Sequence, residues 1–434
     1  MTLLIKNGRV IDPGRVNGTA DVLIQNGKIT AVGPQLRAPK QPDVKVIDAT
    51  GLLVLPGFVD LHVHLREPGF EYKETIRTGA ASAVAGGFTS ICCMPNTNPV
   101  NDNQSVTDFI VEQARQAAMA RVYPIGAITK GSEGKELAEI GELRDAGCVA
   151  ISDDGRPVMN SEVMRRAMEY ALAFDLPVVD HCEDFDLAKG GCMNEGLVST
   201  SLGLPGIPAA AEEVMVARNI LLAQLTGARL HLPHVSTAGS VRMVREAKTR
   251  GVRVSAEACP HHFTLTEEAV RGFKTEAKMN PPLRTWQDVQ ALKEGLKDGT
   301  IDIIATDHAP HAAQDKEQDF ASAPFGIVGL ETALPLTLTL VEEGILSLEA
   351  AVAKLTTAPA QLFKLPKGTL APGADADVVL VDAETNWEVD PARFRSKSRN
   401  TPFGGWKVKG RATVTIVGGR IVYELNGNGG SGVT

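Results

Sequence analysis

Eight short β-branched runs, each followed by sequence of helical period, constrain this chain more than any other feature: FVDLHVHL, TSICCMP, RVYPIGAI, CVAISDD, PVVDHCE, RLHLPHVS, VRVSAEAC and DIIATDHAP. The stretches between them, such as SEVMRRAMEYALAF, AAAEEVMVARNILLAQL and WQDVQALKEGLKDG, repeat apolar residues near every third and fourth position, as helices with one buried face do. Such alternation builds a parallel sheet. Eight units predict an α/β fold with a TIM-like (β/α)8 barrel over residues 56–362. One barrel takes about 250 residues, so a chain of 434 leaves room for one smaller domain.

Both ends carry a different pattern. LLIKNGRVID and DVLIQNGKITAVG are β-rich and contain Asn-Gly, the strongest short hairpin signal, and near the other terminus DADVVLVD and ATVTIVGGRIVYE repeat that logic with Gly-Gly. An isolated hairpin is marginal in water. The two ends are therefore expected to build one composite β-sandwich domain, residues 1–55 with 363–425, leaving the Gly-rich 426–434 as a frayed tail.

Composition excludes several classes. With 44 Lys+Arg against 52 Asp+Glu the chain is acidic, with a net charge of −8, and has no basic run, so nucleic acid and anionic membrane surfaces are poor partners and a small molecule is the better one. No apolar stretch approaches the ~18 residues of a membrane span, and MTLLIKNGRVID lacks the zones of a signal peptide, so a cytoplasmic location is expected. The six cysteines show no CxxC spacing and read as reduced and mostly buried.

Catalysis on a barrel sits at the C-terminal ends of the strands, and there the polar residues bunch: His62, His64 and Arg66; Asn96; Asp153 and Asp154; His181; His234; Asp307 and His311. In a strand, residues i and i+2 share a face, so His62 and His64 enter the lumen together while Leu61 and Val63 face the helices. Four histidines and two carboxylates in one lumen are costly to desolvate without a cation. That donor mixture suits Zn²⁺, with Mn²⁺, Co²⁺ or Fe²⁺ as weaker alternatives. Alternation lets only one of Asp153 and Asp154 face inward. Arg66 offers a planar fork for a carboxylate, though a salt bridge to Glu67 or Glu71 is the simpler reading of its neighbourhood.

DLHVHLREPG, MPNTNP, SDDG, HCED, HVST, NPPLR and ATDHAPH together resemble the bacterial class I dihydroorotases of the metal-dependent amidohydrolase superfamily. The resemblance implies one metal position at His62, His64 and Asp307, a second at His181 and His234, with Asp154 between them, one or two Zn²⁺ ions, and Asp307 as the catalytic proton acceptor. It also implies a substrate site of Arg66, Asn96 and His311 around a carboxylate, with His64 bordering the substrate, Asn280 on the ring, and the backbone of Phe325 and Gly326 against the ligand. A dimer is implied, and aspartate transcarbamoylase is a candidate partner. In the similar hydantoinases, dihydropyrimidinases and allantoinases a carboxylated lysine comes from the fourth strand; here CVAISDDGRP offers none.

Some residues read as packing. Cys182 points away from the face of His181, Cys92 and Cys93 lie in an apolar strand, and His261 and His262 fit hydrogen-bonded loop positions. AAQDKEQDFASAPFGIVG after His311 has no regular period and reads equally as a binding loop, a lid or disorder. The alternatives to a dihydroorotase are a hydantoinase-type enzyme acting on neutral rings, and a silent scaffold for the transcarbamoylase, for which six ligands have no use.

Overall fold

The computed structural model describes residues 2–39 and 44–425; the expected tail 426–434 lies outside the described residues. All eight predicted runs contain a strand: Phe58–Val63, Phe88–Cys93, Arg121–Pro124, Ile151–Ser152, Val178–Val179, Leu230–Leu232, Val254–Ala258 and Ile303–Ile304. We number these barrel strands one to eight. Strands one to three pair in parallel, as do four to eight. Two single parallel bridges join the halves, Gly126 to Ile151 and Val63 to His308. The ring is therefore closed, which leaves it no free edge.

The helices follow their predicted stretches. Trp286–Asp298 starts at a reciprocal cap, in which the Thr285 hydroxyl accepts from the Asp288 amide and the Asp288 carboxylate accepts from the Thr285 amide, and it stops at Gly299, φ 81°. Val289, Leu292 and Leu296 form its buried stripe. Ser161–Ala173 and Ala209–Thr226 also match.

The ends of the chain share one sheet. Leu53–Pro56 pairs antiparallel with Val378–Glu388, tying the N-terminal strands to the C-terminal ones around a core that includes Leu3, Ile5, Val22, Val54, Leu380 and Ile416. Asn26-Gly27 and Gly418-Gly419 make the tight turns, all four residues at positive φ, the geometry that favours Asn and Gly there. Asn7-Gly8 does not turn the chain. It forms a bulge inside the single strand Thr2–Asp12, where Asn7 has φ 64° and its amide donates to Asp21 Oδ1 at 2.9 Å, so the strand continues alongside its partner.

A second correction concerns the first barrel strand. Its pairing shifts register between Asp60 and Val63, and this irregularity breaks strict alternation. Leu61 therefore packs with Val59, Cys92, Ile125, Val179 and Ile303, a cluster drawn from four strands and the residue just after strand three that fills the inside of the ring. Val63 packs outward as expected, in the cluster that holds Ile76 and Ala80 of the following helix.

Candidate active site

Six buried side chains meet above the Leu61 layer. His64 Nε2 lies 3.0 Å from Asp307 Oδ1, and His62 Nε2 lies 3.5 Å from both Asp307 Oδ1 and Asp154 Oδ1. From the far side His234 Nε2 and His181 Nδ1 approach Asp154 Oδ1 at 3.6 and 3.7 Å and each other at 3.0 Å. The ligand-type atoms group into two overlapping triads, His62/His64/Asp307 and His62/Asp154/His234. Asp153 turns away: its carboxylate accepts the amides of Ile128 and Thr129 and the Thr129 hydroxyl, capping the loop after strand three.

Glu183 lies 3.8 Å from His181 Nε2. Two of the histidines have an outer partner that fixes which nitrogen stays bare: Glu257 takes the Nδ1–H of His62 at 2.7 Å, and Asn96 Oδ1 takes the Nδ1–H of His64 at 2.9 Å. Each leaves the other ring nitrogen aimed at the cluster. Glu257 also accepts from the backbone amide of His234 and contacts His231 Nε2 at 2.9 Å, so one carboxylate braces strands one and six. Glu257 and Glu183 were not anticipated, although an acidic residue inside the apolar run VRVSAEAC, and another in HCED, were the available signals.

The residues fit a divalent cation. His62 Nε2 and Asp154 Oδ1 are buried without a hydrogen-bond partner, an arrangement costing about 1–3 kcal/mol per group unless something satisfies them. Against the opposing effect of burial, His62 holds Asp154 well below the ordinary carboxylate range, while Asp154 and Glu183 lift His181 to about 10. The backbone is strained here too. Arg66, His234 and Asp307 sit at φ 63°, 35° and 47°, a region non-glycine residues rarely adopt, at roughly 1–3 kcal/mol each.

Beside the cluster lies a set of donors. Arg66 is half-buried and donates through Nε to the Pro310 carbonyl at 3.1 Å, with Nη2 3.4 Å from His311 Nε2. It forms no ion pair among the described residues. Glu67 and Glu71, its possible partners, accept instead from the amides of Ile76 and Gly69. Burial draws the Arg66 pKa down to about 10, still charged at neutral pH. Asn96, with its oxygen on His64, keeps an NH₂ to offer. Asn280 belongs to the His181 side, donating to Glu183 at 3.0 Å.

The stretch after His311 is a built loop. It contains the one-turn helix Ala313–Lys316 and buries Phe320 and Ala323. Two buried lysines hold it by donating to carbonyls, Lys278 to Phe320 and Ala321 (2.8 and 2.9 Å) and Lys316 to Pro324 and Gly326 (2.9 and 3.1 Å). Phe325 offers its carbonyl to His311 at 2.8 Å, and Gly326 occupies φ 127°, open in practice to glycine alone. All six cysteines are free and buried; Cys182 Sγ accepts from Asn219 at 3.3 Å.

Known proteins bear on this geometry. A dihydro-orotase-like family model matches residues 51–240 and an amidohydrolase family model residues 285–423. The dihydroorotase of Syntrophus aciditrophicus is 56% identical over 98% of this chain and 100% of its own length, and that of Pelotomaculum thermopropionicum 58% over 98% and 99%. Among solved structures, the L-hydantoinase (dihydropyrimidinase) of Arthrobacter aurescens superposes with a TM-score of 0.87 at 28% identity, covering 97% of this chain and 96% of that one. The dihydropyrimidinase of Brevibacillus agri gives 0.85 at 27%, covering 97% and 95%.

Proposed function

We propose that this chain, which belongs to the dihydroorotase family of the amidohydrolases, is a class I dihydroorotase, interconverting N-carbamoyl-L-aspartate and L-dihydroorotate in pyrimidine synthesis. The observation that carries the choice of substrate is Arg66, a guanidinium beside the histidine cluster that pairs with no carboxylate among the described residues. A ligand carboxylate satisfies it. A neutral ring leaves it desolvated, a penalty of about 1–3 kcal/mol or more.

His62, His64, Asp154, His181, His234 and Asp307 would hold the cation, and their nitrogen and oxygen donors favour Zn²⁺, one or two ions. A divalent cation there lowers the pKa of water toward ~7 and polarises an amide carbonyl. Asp307, 3.0 Å from His64, accepts the proton of the attacking water and returns it to the ring nitrogen as the amide bond opens; ring closure runs the same transfer backwards. Arg66, Asn96 and His311 orient the carboxylate, Asn280 and the Phe325–Gly326 backbone border the ring, and Glu257 keeps His62 in the required tautomer. A homodimer, an assembly with aspartate transcarbamoylase and a cytoplasmic setting complete this reading and rest on the family resemblance.

The test supplies purified chain separately with carbamoyl-aspartate, dihydroorotate and a neutral dihydropyrimidine, with and without chelator, alongside Arg66→Ala. Chelator-sensitive turnover of the two acids, with KM raised about 10- to 100-fold by Arg66→Ala, is expected. Turnover of the neutral ring, indifferent to Arg66, would establish the hydantoinase reading instead.

A further inference from the structure

We infer that Lys73 is a positioning residue for carboxylate recognition, acting by fixing the tautomer of His311. The inference deepens the proposed reading and rests on it for the identity of the ligand.

Lys73 Nζ lies 3.2 Å from His311 Nδ1, and the carbonyl of Phe325 lies 2.8 Å from His311 Nε2. An ammonium only donates and a carbonyl only accepts. His311 therefore accepts at Nδ1 and carries its proton at Nε2. This has a consequence at Arg66, whose Nη2 is 3.4 Å from that protonated nitrogen. Two N–H groups face one another, and neither can accept from the other. The ring N–H is already given to the Phe325 carbonyl, so the Arg66 N–H is the one left for an anion. If His311 held its proton at Nδ1 instead, Nε2 would accept from Arg66, and the imidazole would occupy the guanidinium that the ligand needs.

The placement of Lys73 is not that of a free surface lysine. Its side chain is 16% exposed, its amide donates to the Phe70 carbonyl at 2.9 Å, and its own carbonyl accepts from Ser398 Oγ at 2.7 Å. Asp315 Oδ2 is 3.4 Å from Nζ, farther than the imidazole. Burial, followed by the charges of Arg66, Lys73 and Lys316, holds His311 neutral, its pKa drawn down to about 2.

The experiment uses the full metal-loaded chain with histidine-selective 15N labelling, the His311 signals being identified by their loss in His311→Asn. Wild type is expected to show His311 protonated at Nε2. Lys73→Met, with only the Phe325 carbonyl left to hold the ring N–H, is expected to weaken that preference and to raise KM for dihydroorotate and for carbamoyl-aspartate about 10- to 100-fold, with kcat and metal content little changed. Lys73→Arg, still able to donate to Nδ1, should recover most of both effects, and Asp315→Asn should disturb neither. A Lys73→Met protein whose Nε2–H population equals that of wild type, or whose KM stays within about twofold of wild type, overturns the inference. Should wild type turn over neither acid, the substrate assignment fails, while the nitrogen spectra still decide the role of Lys73.

Discussion

Among the described residues two buried clusters of ligand-type side chains occur, and one of them fits a cation. At the strand ends, His62, His64, His181 and His234 face Asp154 and Asp307, with Glu257 behind. After strand seven, Cys259, His261 and His262 also come together, the two rings 4.2 Å apart and each with an unpartnered nitrogen. Among the described residues no carboxylate bonds to either ring; His262 donates to the Pro281 carbonyl at 2.8 Å. Burial is the largest cause, with neighbouring positive groups adding to it, and it pulls His262 down to about 4 and His261 well below its ordinary value. The difference teaches that counter-charge, rather than the number of imidazoles, separates a metal site from packed histidines.

The comparison is sharpened most by Asp307→Asn, which keeps the packing but removes the proton acceptor. It should lower kcat by roughly 10²–10⁴-fold with the circular dichroism spectrum unchanged; near-normal turnover would remove Asp307 from that role. Next, metal analysis by mass spectrometry should find less bound metal in Asp154→Ala and an unchanged amount in His261→Ala. Equal losses in the two would erase the distinction between the clusters. Glu257→Gln should weaken metal affinity by about 10–100-fold in a competition titration, since an amide can present a donor where His62 needs an acceptor. The smallest effect belongs to His262. Its folded pKa is depressed, so its contribution to stability is whole above pH ~6.5 and is lost as pH falls toward about 4, where the unfolded chain binds the extra proton. His262→Asn should flatten the urea-unfolding free energy across that window, and a slope identical to wild type would mean the ring is already charged.

Period and alternation carry far in this chain. Eight runs and their helices were legible because each obeys its own repeat, and His62-Val63-His64 announced itself through spacing. The shift at Asp60–Val63 that turns Leu61 into the ring has no counterpart in composition, because a ladder irregularity depends on the neighbouring strand. Asn7-Gly8 misled for a related reason: the same dipeptide serves a turn or a bulge, and a partner strand decides which. Alternation alone left Asp153 and Asp154 inseparable; the family resemblance chose Asp154, and the amides of Ile128 and Thr129, which occupy Asp153, give the physical reason. Glu257 and Lys73 escaped notice because each acts on a histidine far away in sequence. The polar stretch after His311 read equally as a binding loop, a lid or disorder, and Lys278 and Lys316, buried beneath it, are satisfied by carbonyls that no pattern displays.

The seam between strands eight and one is thin: a single bridge from Val63 to His308, with the His64 amide on the His308 carbonyl at 2.8 Å. His64 and Asp307 flank that joint, so an ion held by both would act as a clasp across the place where the first and last staves of the barrel meet. Affinity for the ion and cohesion of the closed ring then become one free energy, and an enzyme stripped of its cofactor should be a looser vessel as well as an idle one.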